Sequence, residues 1–118
     1  MSKVTVAAIQ MTYGLEDAVE KVQEAAAQGA QEENPAVNTL RKVARDFRVV
    51  LPISYYERAG NTTFNTVAII DADGSVLGQY RKTHIPDDQL YQEKFYFTPG
   101  DTGFRVWDTA YAKIGVGI

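Results

Sequence analysis

The chain has 118 residues, of which 45% are hydrophobic and 23% charged, a composition that fits one folded domain and excludes wholesale disorder. The net charge is −3, with 12 basic residues scattered among 15 acidic ones, so the basic surface of a nucleic-acid-binding protein is not expected. There is no cysteine and a single histidine, which leaves no disulfide, no thiolate nucleophile and no zinc cluster. We predict no cofactor and no metal.

Membrane insertion and secretion are not indicated by the sequence. No apolar stretch is as long as a membrane span, and the first residues, MSKVTVAAIQ, lack the basic, apolar and small-residue order of a signal peptide. We therefore expect a cytoplasmic protein that does not contact a membrane.

The first 47 residues have the pattern of one strand and two helices. Residues 4–11, VTVAAIQM, form an apolar run typical of a strand buried on both faces, and residues 15–26 repeat apolar side chains at helical spacing. Asn34 and Pro35 are typical of a helix N-cap and first helical position. Only residues 31–33 separate the two helices, so the strand that normally returns between them is predicted to be missing. The buried face of the second helix is predicted to contain Val37, Leu40, Val43, Ala44 and Phe47.

The remainder of the chain is predicted to be rich in β-strands. An apolar and then alternating segment at 49–56 contains Pro52, whose missing amide favours an edge position. A turn is predicted at 57–61, and the Asp-Gly pair within residues 71–74 indicates a hairpin. Further strands are predicted at 63–70, 76–80, 104–107 and 112–118.

The end of the 76–80 strand is the candidate site. Lys82 follows it directly, at a position where open α/β sheets place ligands, and its ammonium could stabilise an oxyanion or bind a carboxylate. Glu93 could position that lysine through a hydrogen bond. Both residues also have a simpler interpretation, because strand-end lysines and glutamates are more often solvated surface groups.

Other polar and aromatic residues near the site carry less chemical information. His84 could be imagined in a triad with Ser54 or Ser75, but neither serine lies in a Gly-x-Ser-x-Gly turn, so we interpret His84 as structural. The aromatic residues of the following segment could wall a pocket or pack in the core. They are Tyr91, Phe95, Tyr96 and Phe97.

Several strings in this part of the chain match a known family in order. They are YRKTHIPD at 80–87, YQEKFYF at 91–97, PGDTGF at 99–104 and KIGVGI at 113–118. With VTVAAIQM near the start, they make the sequence similar to the N-terminal half of nitrilase-superfamily amidases, in particular those that act on N-carbamoylputrescine.

This resemblance implies an α/β fold, a partial αββα sandwich of the nitrilase type, and hydrolysis of a non-peptide carbon-nitrogen bond. The implied substrate is a small carbamoyl amine, with N-carbamoylputrescine giving putrescine, ammonia and carbon dioxide. The family uses a glutamate base, a lysine that stabilises the tetrahedral intermediate and a cysteine nucleophile. Lys82 matches the lysine, and Glu93 matches a second, supporting glutamate.

The sequence departs from the family pattern in three places. Gly29, Ala30 and Gln31 should precede a strand that ends in the general-base glutamate, yet Glu32 and Glu33 follow directly. The family motif continues from KIGVGI into the nucleophilic cysteine, whereas this sequence stops at residue 118. Residues 88–90 stand where the family has a glycine-proline-glycine loop. We therefore expect one incomplete domain, 1–118, lacking an interior strand and the C-terminal half, with no nucleophile, no general base and no turnover by itself.

Three interpretations of this incomplete pattern are open. The chain could be a truncated and internally deleted enzyme, or a part of a longer product. It could also be a non-catalytic binding or oligomerisation module that self-associates as a homo-oligomer, since uncovered sheet edges favour pairing with another chain.

Overall fold

A computed structural model of the protein describes residues 3, 5, 34–90 and 92–118. In that part of the chain a helix is followed by a three-stranded antiparallel sheet, a single 3₁₀ turn and a two-stranded sheet. The elements are α1 (Pro35–Phe47), β1 (Leu51–Ala59), β2 (Thr62–Ile70), β3 (Val76–Arg81), the 3₁₀ helix Glu93–Phe95, β4 (Val106–Asp108) and β5 (Lys113–Gly115). Three predictions concern segments outside the described residues. They are the strand at 4–11, the helix at 15–26 and the absence of a strand at 31–33.

The start of α1 is the one predicted from the sequence. The side-chain oxygen of Asn34 accepts hydrogen bonds from the amides of Ala36 at 2.9 Å and Val37 at 3.3 Å, and Pro35 occupies the first helical position. These bonds satisfy two of the amides that a helix start leaves without a partner in the helix. The helix ends at Arg48, whose left-handed backbone (φ 52°) lets its amide reach the last carbonyls.

The buried face of α1 is narrower than predicted. Val37 and Ala44 are buried and Leu40 is half-buried, but Val43 is 36% exposed and Phe47 is 74% exposed. The sheet contacts the stripe centred on Val37 and Ala44, which lie two turns apart, while Val43 and Phe47 lie on one flank of that stripe. The prediction for these two residues was wrong because apolar spacing cannot show how wide a surface the sheet offers.

The three long strands form a meander in the order β1, β2, β3, with Leu51 opposite Ile70 and Thr66 opposite Arg81. Among the described residues β1 is an edge strand, which accommodates Pro52 as predicted. The hairpin between β2 and β3 turns through the predicted Asp-Gly pair, at Gly74 with φ 84°.

The predicted turn at 57–61 is shorter in the structure. β1 continues to Ala59, and Glu57 lies within the strand opposite Phe64. The turn is confined to Gly60 and Asn61, where Gly60 has a positive φ of 62°. The carboxylate of Glu57 has partners on β2 and β3, and local sequence does not reveal them.

Each face of the meander packs against a different layer. Because strand side chains alternate, Ile70 faces α1 and packs against Val37 and Ala44, whereas Ile69 lies on the opposite surface. We call the first surface the helix face and the second the tryptophan face, after Trp107 of β4. The buried residues of the tryptophan face are Val67, Ile69, Tyr80 and Trp107.

The last two strands are shorter than predicted. β4 and β5 have three residues each, and Phe104, predicted to begin a strand, is 72% exposed and precedes β4. Trp107 is nevertheless buried, because its indole lies over Gly78, where a Cβ atom would come within 2.6 Å of the ring nitrogen. The contact with β3 therefore holds this small sheet in place.

No helix within residues 34–90 and 92–118 has the length and apolar character that crossing a bilayer requires.

We expect Asn34→Ala to lower the free energy of unfolding by about 1 kcal/mol, because two amides at the start of α1 lose their acceptor. Urea unfolding followed by the fluorescence of Trp107 measures the change. Asn34→Ser is the matched control and should keep most of the stability, since a serine hydroxyl also caps helices. Equal stability of Asn34→Ala and the unchanged protein would contradict the assigned cap.

Candidate active site

Lys82 lies immediately beyond β3 and continues its hydrogen-bond ladder by one residue. Its amide donates to the carbonyl of Asn65 at 2.8 Å, and its carbonyl accepts from the amide of Gly100 at 2.7 Å. The side chain is on the tryptophan face and is only 13% exposed. The backbone of this lysine is therefore fixed from both sides, and its ammonium is largely withdrawn from water.

Glu93 is the ion-pair partner of Lys82. Both carboxylate oxygens accept from Lys82 Nζ, at 2.7 and 2.8 Å, and Oε1 also accepts from Asn65 Nδ2 at 3.3 Å. Glu93 opens the 3₁₀ helix and is 19% exposed. The structure thus brings together the two residues singled out in the sequence, although eleven positions separate them, and neither is the solvated surface group of the simpler interpretation.

The segment after Glu93 is attached to the ends of β1 and β2. The carbonyl of Tyr96 accepts from the hydroxyls of Thr63 and Tyr56, the amide of Thr98 donates to the carbonyl of Thr63 at 2.9 Å, and Phe97 packs on Tyr56 with ring centroids 5.0 Å apart. These contacts fix the segment that carries Glu93 relative to the strand end that carries Lys82.

The aromatic residues of this segment do not form core. Phe95 is 82% exposed and Tyr96 is 50% exposed, so core packing is the wrong prediction for both, while Phe97 is half-buried against Tyr56. The backbone contacts that hold the segment against the sheet turn these two rings outward. Tyr91 lies outside the described residues.

A second charged cluster lies on the helix face, directly behind Lys82. Arg81 binds Glu57 through two hydrogen bonds, Nε to Oε2 at 2.9 Å and Nη2 to Oε1 at 2.5 Å. Thr66 also donates to Glu57 Oε2 at 2.6 Å, and Gln79 to Oε1 at 3.4 Å. The side chains of Glu57 and Arg81 are 3% and 16% exposed, so this pair is the most enclosed ion pair in the described part of the chain.

The charge states in this cluster follow from these contacts. Burial of Glu57 disfavours its carboxylate, but hydrogen bonds from Arg81 and Thr66 outweigh that effect, and the pKa of Glu57 is held below its ordinary value of 4.5. The hydrogen bonds to Glu57 raise the pKa of Arg81 in turn. The cluster is therefore an ionised pair throughout the neutral pH range.

Arg81 also reaches the loop that follows the 3₁₀ helix. Nη1 donates to the two oxygens of Asp101 at 2.9 and 3.1 Å, and the hydrogen bonds from Arg81 lower the pKa of that carboxyl. The Arg81 amide donates to the hydroxyl of Thr102 at 3.0 Å, and its guanidinium lies 4.1 Å from the ring centre of Phe64. One side chain thus joins β1, β3 and the loop.

Sequence reasoning missed this cluster. The sequence predicts a turn at Glu57, and Arg81 is identified only as a member of the string YRKTHIPD. A signal was present, because strand alternation places Glu57 on the same face as Tyr55, and Arg81 on the same face as Gln79. Opposite charges on one face of β1 and β3 indicate a pair that spans β2, once the strand boundaries and the strand order are known.

The other polar candidates lie apart from Lys82 and Glu93. His84 is exposed and its ring lies 6.4 Å from that of Phe104, while Ser75 Oγ bonds Asp73 in the hairpin turn at 2.5 Å. Within the described residues no group of three histidine, aspartate or glutamate side chains is placed to hold a metal ion.

Two adjoining cavities lie between α1 and the hairpin of β2 and β3. Their volumes are about 700 and 400 Å³, and Asn38, Arg41 and Ser75 line both of them. Neither is lined by Lys82 or Glu93. We place the candidate chemistry at the paired lysine and glutamate, because a cavity alone supplies no reacting group.

Comparison with known proteins identifies the class. Residues 8–118 match the family model described as carbon-nitrogen hydrolase. The chain belongs to the carbon-nitrogen hydrolase family, which confirms the resemblance to nitrilase-superfamily amidases.

Individual relatives agree with that assignment. The chain is 59% identical over 85 residues to an N-carbamoylputrescine amidase of Oryza sativa subsp. japonica, covering 72% of this chain and 28% of the relative. It is 56% identical over 87 residues to a citrullinase of Francisella tularensis subsp. tularensis, covering 74% and 30%. The crystal structure of a carbon-nitrogen hydrolase from Helicobacter pylori superimposes with a TM-score of 0.62 at 38% identity, covering 83% of this chain and 30% of that one.

The chain matches less than a third of the length of each of these relatives. The chain spans 28% and 30% of the length of these two curated relatives. The predicted α/β fold of the nitrilase type is confirmed, and the chain corresponds to a fragment of it.

We expect the stability of the fold to decrease as the pH is lowered below about 4.5. The pKa of Glu57 is lower in the folded state than in the unfolded state, so the unfolded chain takes up the proton first. The contribution of Glu57 is complete above its ordinary value and is lost as the pH falls through the folded value. Urea unfolding followed by Trp107 fluorescence between pH 7 and pH 3 measures this dependence.

Glu57→Gln should flatten the acid branch of that profile and cost about 3 kcal/mol at pH 7, because it leaves Arg81 without its enclosed partner. Asp108→Asn is the matched control, since Asp108 pairs with Lys113 on the surface, where ion pairs contribute little. An unchanged acid branch in Glu57→Gln would exclude Glu57 as its source.

Proposed function

We propose that this chain supplies the lysine and its supporting carboxylate to an amidase active site that hydrolyses small N-carbamoyl amines. One observation carries the proposal: Lys82 and Glu93 form a bidentate, largely enclosed ion pair at the end of a strand. Membership of the carbon-nitrogen hydrolase family supports the reaction class.

The geometry suits stabilisation of an oxyanion. A lysine ammonium has three N–H donors, and among the described residues Glu93 is the one acceptor of Lys82 Nζ, with one donor for each of its oxygens. The remaining donor can bind the oxygen of a substrate carbonyl, on which negative charge develops during acyl transfer. Glu93 keeps the ammonium oriented, so little reorganisation is needed when that charge appears.

The proposed substrate class is an amine that bears a terminal carbamoyl group. Relatives named N-carbamoylputrescine amidase and citrullinase support this class, since both names refer to compounds in which a carbamoyl group is bound to nitrogen. Hydrolysis of N-carbamoylputrescine releases putrescine, ammonia and carbon dioxide, so we propose a role in polyamine biosynthesis. We also propose that the chain acts in the cytoplasm.

The reaction also requires groups that the 118 residues do not supply. The acyl-enzyme mechanism implied by the family resemblance uses a cysteine thiolate and a base to activate it, and this sequence has no cysteine. We propose that Lys82 and Glu93 act only together with a cysteine and a base glutamate from outside the described residues, and that the 118-residue chain alone has no turnover.

The test is a chimaera in which the aligned 85 residues replace their counterpart in the Oryza sativa amidase. We expect it to release ammonia from N-carbamoylputrescine, and Lys82→Met to lower kcat by about 10²–10³, the usual effect of losing one oxyanion donor. Ammonia release in a coupled assay measures both.

Lys113→Met is the matched control, because Lys113 is 70% exposed and should not affect turnover. The isolated 118-residue chain should release no ammonia above a buffer blank. A folded, active chimaera that keeps full activity with Lys82→Met would refute the proposed role of the lysine, and turnover by the isolated chain that Lys82→Ala abolishes would refute the requirement for further groups.

A second candidate function is favoured by a separate observation. Large apolar side chains that a folded monomer normally covers are strongly exposed, and we propose that the chain self-associates through them as a homo-oligomer. They include Phe47 at 74%, Phe104 at 72%, Phe95 at 82% and Leu90 at 90%.

Sedimentation velocity across a range of concentrations tests this proposal. We expect the weight-average mass to rise with concentration, and Leu90→Ser to reduce the rise because it removes an apolar side chain that is 90% exposed. Thr39→Ser, on the exposed surface of α1, is the control. A monomer at every concentration would contradict self-association.

A further inference from the structure

The loop of residues 98–102 lies unusually close to the end of β3. A Cβ atom built on Gly100 would lie 2.1 Å from the carbonyl oxygen of Arg81, so only glycine fits there without moving the backbone. At the same place the Gly100 amide donates to the carbonyl of Lys82 at 2.7 Å. The position of the Lys82 backbone therefore depends on how closely this loop approaches the strand.

The Arg81 side chain holds the loop at that distance. Residues on the C-terminal side of Gly100 are bound to Arg81, Asp101 by the guanidinium at 2.9 and 3.1 Å and Thr102 by the backbone amide at 3.0 Å. The two hydrogen bonds to Glu57 prevent the guanidinium from following the loop outward. The contacts of Arg81 with Asp101 and Thr102 therefore hold Gly100 against the end of β3.

The same loop leads back to Glu93. Upstream of Gly100, the amide of Thr98 is bound to the carbonyl of Thr63, and Tyr96 is bound through its carbonyl to Thr63 and Tyr56. A loop released from Arg81 would loosen the support of both members of the lysine-glutamate pair, although Arg81 lies on the opposite face of the sheet.

We propose that Arg81 is a positioning residue for the site, holding the loop through Asp101 so that Lys82 stays paired with Glu93. This inference rests on the proposed function, since it assigns a purpose to the pair that the function uses. Arginine is suited to the position because one planar group binds Glu57 and Asp101 in different directions at once. A lysine offers a single nitrogen, which cannot reproduce the paired contact with Glu57 and the contact with Asp101 that three different nitrogens of Arg81 make.

The experiment measures how well the Lys82 amine is shielded in the folded chain. Each protein is treated briefly with an amine-acetylating reagent, and peptide mass spectrometry gives the acetylation rate of Lys82 relative to Lys113 in the same molecule. Lys82 is 13% exposed and Lys113 is 70% exposed, so the ratio is low in the unchanged protein. We expect Arg81→Lys to raise it about tenfold, as local opening becomes more frequent.

A general loss of stability is separated from a loss of positioning by a matched variant. Asn34→Ala weakens the fold at the start of α1, far from the loop in sequence, and should leave the ratio unchanged. Asp101→Asn removes a partner that is itself 64% exposed, so it should fold normally and raise the ratio by a smaller factor than Arg81→Lys. If Trp107 fluorescence shows that Arg81→Lys does not fold, the acetylation ratio of Asp101→Asn tests the positioning role instead.

Glu93→Gln distinguishes failure of this inference from failure of the proposed function. A raised ratio in Glu93→Gln, with no change in Asp101→Asn and in folded Arg81→Lys, would overturn the positioning role and leave the lysine-glutamate pair intact. An unchanged ratio in all three variants would overturn both. A rise in Asn34→Ala equal to that in Arg81→Lys would also overturn the positioning role.

Discussion

The ion pair between Arg81 and Glu57 is the constraint on which the rest of the described structure depends. It ties β1 to β3 across β2 and, through Asp101, ties both to the loop after the 3₁₀ helix. Two enclosed charges are costly to desolvate, so the arrangement is stable only because Thr66 and Gln79 supply further hydrogen bonds to the carboxylate. The ion pair fixes the relative positions of three segments, which are β1, β3 and the loop that contains Asp101.

The two faces of the meander carry different sets of contacts. The helix face carries α1 and the Arg81 cluster, whereas the tryptophan face carries the lysine-glutamate pair and the packing around Trp107. Neighbouring residues in a strand point to opposite faces, so Arg81 and Lys82 serve different surfaces while sharing one stretch of backbone. That arrangement lets the lysine-glutamate pair on one face be supported by contacts made on the other face.

Features that depend on neighbouring residues were predictable from the sequence. The cap at Asn34 and the Asp-Gly turn at Gly74 were located correctly, because side chain and backbone interact within a few positions. Features that depend on distant segments were not. Phe47 was assigned to a buried face and Glu57 to a turn, and both predictions failed because the extent of the sheet and the position of Arg81 decide those environments.

The candidate site shows the same division. The position of Lys82 at a strand end indicates a candidate site with Glu93 as a partner, and resemblance to a family supports the choice of both residues. Their bidentate contact depends on the path of residues 93–102, which follows from backbone bonds to Thr63 and Lys82 that carry no mark in the sequence. The sequence therefore identifies the two residues, and their contact is a property of the folded chain.

The close approach of Gly100 to β3 has a consequence for how this region can diverge. Insertions or deletions between 96 and 102 would shift every contact that holds the loop, whereas residues 86–90 are exposed and can change in length or chemistry at little cost. Sequence change can therefore accumulate at residues 86–90, while the distance between the ammonium of Lys82 and the carboxylate of Glu93 is inherited unchanged.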